Sequence, residues 1–340
     1  MFNSLNKKII VVSFFITKTE ALRKIRAQWA LRDHKHSKVL DKNLSDAQSI
    51  KHEEFGGSIV LMDPLKLEEG FLAEIPVPLA FGLCVDKNDS SLYVTSGSVI
   101  HQIKNGYCKK ILDNNLFNDL HSISMSTKGN LIVVSTGIDS ILEINHKNDS
   151  SVCWDWLAIE HGYNTTPNGQ TRFIDRKLDY RSALITTPEH TTHVNTAFND
   201  REDRILATLF HQGELIEIDR KSKQSKVILK NLSSPHNIRS RNNGFMISDT
   251  RANRVLLLDD KFKIKKEISH DFNWIQDALE FWDGGKAYYL IADSNNGRLV
   301  LTSHSGKIIS SFKWEKDSRK VAAMQILTTS EANNIFFPST

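Results

Sequence analysis

Cysteine is scarce: the 340 residues hold three, Cys84, Cys108 and Cys153. They sit in strand-like apolar runs with no metal-ligand spacing, and an odd number without a framework excludes a disulfide-stapled fold. Free, buried thiols in a reducing compartment are expected, hence a cytoplasmic location. Long apolar runs are also missing. IIVVSFFI at 9–16 is eight residues, against roughly 20 for a membrane-crossing helix, so no membrane span is expected. Lys7 and Lys8 precede it in the charge order of a secretory signal, but no small-x-small cleavage site follows. A short buried strand is expected there. Nor does charge of one sign dominate. Lys and Arg number 44 against 40 Asp and Glu, a net charge of +4. That is too little for nucleic-acid binding without a concentrated basic patch, and no aromatic-interleaved basic run supplies one.

What remains is the composition of an ordinary globular protein, 40% hydrophobic and 25% charged. Residues 1–56 read as an N-terminal extension. After the short strand, TEALRKIRAQWALR places Leu22, Ile25 and Trp29 on one apolar helical face, and a polar linker follows from 34 to 48. Residues 57–340 carry a repeat. Phe81 to His121 is 40 residues, His193 to His236 is 43 and His236 to Gln276 is 40. His121 to His193 is 72, one period plus an insertion of about 30 residues at 157–192.

Each period repeats one plan. A first strand and a polar turn (STKGN, RSRNNG) lead into a second strand (LYVTS, LIVVST, ILATLF, FMISD, YYLIAD). A third follows (VIHQI, SILEIN, ELIEID, RVLLLD, RLVLTS), then a more variable fourth. Four short strands recurring at about 40 residues predict propeller blades. Five are visible from 79 to 316. A sixth is assembled from VAAMQIL and NNIFF at the C-terminus with SIVLMD and EGFLAEI near the N-terminus, closing the ring through both chain ends. The expected fold is all-β: a six-bladed β-propeller with a short helical N-terminal extension.

ISDTRANRVLLLD and IADSNNGRLVLTS resemble NHL-type propeller repeats in the spacing of Asp249, Asn253 and Arg254, and of Asp293, Asn295 or Asn296, and Arg298. An acid and a base flanking a tight turn are expected to brace it. Residues 120–156 and THVNTAFNDREDRILATLFHQGELIEID at 192–219 resemble blades of arylsulfotransferase-like propellers, with their H-x-N and downstream H-Q. That resemblance implies sulfuryl binding by His193, Asn195 and His121, and a sulfuryl-accepting histidine for which His236 is the available match. The arginine expected just before H-Q is Phe210 here.

First strands line a propeller axis, so His121, His193 and His236 are expected to converge at the channel mouth, followed by Gln276 and Asp277. Two chemistries suit such a cluster. A neutral imidazole can attack a sulfuryl group while Asn195 or Asn237 stabilises developing charge. Alternatively, three imidazoles with an open fourth position hold zinc, as the resemblance to NHL-like amidating lyases implies, with Asp277 as supporting carboxylate or base. His211, near a loop, is a further substrate-binding candidate. The insertion runs into His193, so Arg172, Arg176 or Arg181 could hold an anion and replace the charge missing at Phe210. Arg239 is another candidate. The substrate is then a small anionic or polar organic molecule. The rival is a non-catalytic scaffold for a protein or RNA partner, the common use of NHL-type propellers.

Overall fold

The second and third strands of each repeat are apolar at consecutive positions rather than at alternate ones. A sheet explains this only if both of its faces are covered. In the computed structural model they are. Residues 7–17, 20, 55–315 and 318–338 are described. The linker expected at 34–48 and, apart from Glu20, the helix expected at 19–32 lie outside them.

Six four-stranded antiparallel sheets form the ring. Blade one holds β4 (Ala80–Asp86), β5 (Ser91–Ser96), β6 (Val99–Lys104) and β7 (Tyr107–Asp113). Blade two holds β8 (Leu120–Met125), β9 (Leu131–Ser135), β10 (Ser140–Ile144) and β11 (Val152–Leu157). Blade three holds β12 (Val194–Arg201), β13 (Arg204–Leu209), β14 (Glu214–Asp219) and β15 (Ser225–Leu229). Blade four runs through β16 (Pro235–Arg241), β17 (Gly244–Asp249), β18 (Arg254–Leu258) and β19 (Ile264–Ser269). Blade five runs through β20 (Ile275–Asp283), β21 (Lys286–Asp293), β22 (Arg298–Ser303) and β23 (Ile308–Lys313). The closing blade is ordered β24 (Arg319–Thr328), β1 (Lys8–Ile16), β2 (Gly57–Met62), β3 (Ala73–Pro76).

The ring therefore closes through both chain ends, but not with the expected segments. KIIVVSFFI, placed in the extension by the sequence reading, is the second strand of the closing blade. NNIFF is not a strand. It lies in helix α1 (Thr329–Phe336), which starts in a capping box between Thr328 and Glu331. The T-x-x-E spacing was the available signal. Alternate residues of β1 face opposite neighbours: Ile9 and Val11 pack with blade one and α1, Ile10, Val12 and Phe14 with blade five. Cys84 is buried, but Cys108 and Cys153 are exposed, contrary to expectation, because they lie on the outermost strands β7 and β11.

A recurrent hydroxyl crosses each of the six blade interfaces. From the second strand of a blade or the residue just after it, the hydroxyl donates to a backbone carbonyl on the next blade's inner strand. The donors are Ser13 to Phe81 O (2.5 Å), Thr95 to Leu120 O (3.1 Å), Thr136 to Val194 O (2.7 Å), Thr208 to His236 O (2.6 Å), Thr250 to Ile275 O (2.6 Å) and Ser294 to Val321 O (3.5 Å). Thr136 is fully buried. Thr136→Val keeps its shape and strands the Val194 carbonyl, so a loss of about 1–3 kcal/mol is expected, read as a lower urea midpoint at unchanged slope.

Candidate functional site: a histidine layer at the channel mouth

A shared backbone device aims side chains at the axis. The residue before each inner strand of blades one to five is left-handed: Leu79, Asp119, His193, Ser234 and Trp274, with φ between 43° and 64°. After the first strand pair the register slips, at Ala80/Leu83, Leu120/Ser122, Val194/Thr196, Pro235/Ile238 and Ile275/Asp277. These are bulges, and a bulge re-aims its unpaired residue. The equivalent axial residues are thus Phe81, His121, Asn195, His236 and Gln276. His193 does not share the position of His121 and His236. It sits two residues earlier, level with Asp119 and Trp274, and Asn195 is the true counterpart.

His121 spans blades two and three. Its Nδ1 is 3.0 Å from Asn195 Oδ1, and Asn195 Nδ2 donates to Pro235 O at 3.0 Å, so Nδ1 of His121 is the donor. Its Nε2 lies 3.2 Å from the Asp119 carboxylate. Both nitrogens carry protons, and the imidazolium stacks on Phe81 at 4.9 Å. Burial alone would depress its pKa, but the Asp119 charge and hydrogen bond, with that to Asn195, raise it. The stabilisation from this pair is complete below the unfolded value of about 6.5 and is lost as pH rises through the raised folded value. Asp119→Asn is expected to flatten that decline, seen as urea midpoints compared between about pH 6 and pH 9.

His236 is held differently. The Thr250 hydroxyl gives its proton to Ile275 O, so it accepts from His236 Nδ1 at 2.8 Å. The ring's lone pair is then on Nε2. Burial pushes the His236 pKa down to about 3, the nearby His121 charge adding to the effect. Burial likewise holds His193 well below the usual range, with His190, His121, His236 and His211 reinforcing it.

These rings form a layer across the axis. His121 and His193 meet edge to face at 4.9 Å; Phe210 lies 5.0 Å from His193 and 5.4 Å from His236, and Trp274 is 5.6 Å from His236. Above it a cavity of about 570 Å³ is lined by His193, His211, His236, Phe210, Trp274 and Arg251, with Pro167, Asn168, Thr187 and Pro188 of the insertion at its lip. On the other side a chamber of about 400 Å³ follows the channel past His121, Asn237 and Arg239. Because Phe210 separates His193 from His236, the three imidazoles do not gather around one point. Among the described residues no three His, Cys, Asp or Glu side chains are placed to hold an ion together.

The remaining sequence-selected residues have defined partners. Arg239 grips Asp277 through Nε (2.8 Å) and Nη2 (2.5 Å), and Asp277 also accepts from Met324 N. Asn237 accepts from Thr196, and Gln276 from Trp274 Nε1. The His211 Nε2 donates to Thr187 O at 3.0 Å. Arg172 is buried against Asp139 at 2.7 Å, Arg176 pairs with Asp155 and Glu160, and Arg181 with Asp179 and Asp113. Asp249 to Arg254 (2.7 Å) and Asp293 to Arg298 (2.6 Å) brace their turns.

Three residues escaped the sequence reading. Arg251 lines the mouth with no ion-pair partner among the described residues, the cation expected instead from the insertion. Trp274 supplies the wall opposite. Asp139, fully buried, accepts six hydrogen bonds: from Arg172, from the backbone and hydroxyls of Thr191 and Thr192, and from His193 N. It anchors the end of the insertion and fixes His193. Among the described residues no helix is long and apolar enough to cross a membrane.

No family model and no curated protein matches the chain. Solved structures do. A protein of unknown function from Bacteroides caccae is 13% identical, with 79% of this chain and 94% of that one covered at a TM-score of 0.53. A chain of a nidogen/laminin complex is 12% identical, covering 82% and 96%, with a TM-score of 0.54. The periplasmic gluconolactonase of Pseudomonas aeruginosa is 12% identical over 81% and 80%, with a TM-score of 0.48. At these identities the likeness is one of fold alone, and the arylsulfotransferase-like and NHL-type resemblances gain no support from it. This chain is a six-bladed β-propeller.

Proposed function

We propose that the channel mouth binds a small anionic organic molecule and that His236 acts on it, with arylsulfotransferase-like group transfer as the reaction. The observation that carries this reading is the lone pair on His236 Nε2 in the wall of a cavity that also holds Arg251, which has no ion-pair partner among the described residues. Arg251 attracts the anion by charge-assisted hydrogen bonds. Phe210 and Trp274 offer faces for an aromatic body. His236 is neutral at ordinary pH, so its Nε2 is available without a prior proton transfer.

For an aryl sulfate the balance is simple. His236 Nε2 forms a bond to sulfur as the sulfur–aryl-oxygen bond breaks, and the aryl oxide leaves with the electron pair. An acceptor hydroxyl then takes the sulfuryl group, the N–S bond breaks, and the hydroxyl proton passes to solvent. The imidazolium of His121, in contact with His193 in the same layer, favours negative charge building up there.

The test uses 4-nitrophenyl sulfate with phenol as acceptor. Release of nitrophenolate dependent on the protein, with quenching of tryptophan fluorescence on binding, is expected. Neither signal at millimolar donor would end the reading. Arg251→Gln is expected to raise KM about tenfold, the loss of one charge-assisted hydrogen bond, with kcat little changed.

A further inference from the structure

His190 belongs to the insertion and lies four residues before the inner strand of blade three, yet it is completely buried. Its ring lies edge to edge with that of His193 and nearly coplanar, 14° between planes and 4.9 Å between centroids, and the two Nδ1 atoms are 2.6 Å apart. Its other nitrogen, Nε2, is buried with no hydrogen-bond partner among the described residues. We infer that His190 is a positioning residue: it donates its Nδ1 proton to His193, which fixes the His193 proton on Nε2 and so makes His193 a hydrogen-bond donor to whatever occupies the mouth.

The geometry permits only two arrangements. At 2.6 Å one proton must lie between the two Nδ1 atoms, since two lone pairs or two N–H groups would repel. Burial depresses both rings' pKa values, that of His190 to about 4, so each ring carries one proton. If His193 donated, the single proton of His190 would sit on Nε2, a buried N–H with no acceptor, and orphaned donors of that kind are rare. If His190 donates, Nε2 keeps only a lone pair, which is the milder fault. The second arrangement wins.

The consequence rests on the proposed function of the mouth. It would then present unlike nitrogens on either side of Phe210, an N–H from His193 and a lone pair from His236. An anionic oxygen can approach the first while the second does chemistry. A segment inserted between blades thereby sets the polarity of a ring it does not itself carry.

The test does not need a substrate. Long-range proton–nitrogen correlation spectra of the nitrogen-15-labelled protein separate protonated from bare ring nitrogens, and His190→Asn and His193→Gln variants assign the two rings by difference. His193 protonated on Nε2 and His190 on Nδ1 is the expected result. His193 protonated on Nδ1 overturns the inference, whatever the protein binds. A binding comparison adds a second reading. His190→Asn retains an N–H donor and should keep 4-nitrophenyl sulfate affinity, whereas His190→Met should lose about tenfold. Equal loss in both variants with the expected spectra would confine His190 to fixing the tautomer and overturn its role in binding. No binding by the wild type would fail the proposed function and leave the tautomer result standing.

Discussion

His236→Gln is expected to lower sulfuryl transfer by roughly 10²- to 10⁴-fold, the span of a positioned acid, base or nucleophile. Glutamine keeps a polar group of similar reach but no nucleophilic lone pair on nitrogen. Affinity for 4-nitrophenyl sulfate should change by less than about threefold, because Arg251 and Trp274 are untouched. The effect therefore belongs in kcat rather than KM. A variant within about threefold of wild-type kcat would remove His236 from the chemistry. Thr250→Val gives a second reading: it withdraws the acceptor of the 2.8 Å bond that holds the His236 proton on Nδ1, and should lower kcat by less.

Asp139→Ala should be the most damaging change to stability, at about 3–5 kcal/mol, the usual result of leaving a buried ion without its partner. The Arg172 guanidinium would lose its carboxylate in a site 3% exposed. Thr191, Thr192 and His193 would lose their backbone acceptor at the same time. Burial would push the Asp139 carboxyl pKa up, but Arg172, His190 and the threonine donors hold it below the ordinary range. Urea unfolding measures the cost. Limited proteolysis should show new cleavage between 157 and 192, where the segment is released. Asp139→Asn keeps some acceptors and should fall between. A wild-type midpoint in the alanine variant would mean that Ile174 and Tyr180, packed into the core between blades one and two, anchor the segment instead.

Most of the ring was legible because its repeat is a physical necessity. A blade buried on both faces needs apolar runs in its inner strands, and turns at fixed intervals make them visible as a period near 40. The closing blade was harder, since its strands are taken from opposite ends of the chain and β1 pairs with β24 across more than 300 residues. No local pattern encodes that pairing. The site was read two residues out of register. Aligning histidines gave intervals of 72 and 43, whereas the bulge positions Phe81, His121, Asn195, His236 and Gln276 are separated by 40, 74, 41 and 40. The more even spacing was there to be found, but a histidine looks more like chemistry than an asparagine. The TRANR context of Arg251 reads as a turn, and so does that of Asp139, two residues after Gly137. What each touches depends on blades that arrive later in the chain.

The seam of the ring bears on its birth. During synthesis β1 emerges some 300 residues before β24, so the apolar ribbon KIIVVSFFI waits through the making of all five intervening blades without the inner strand that will shield one of its edges. A nascent chain halted near residue 315 would hold five finished blades and an open, sticky flank. Cells making this protein must keep that flank from meeting its like until β24 slides into the gap.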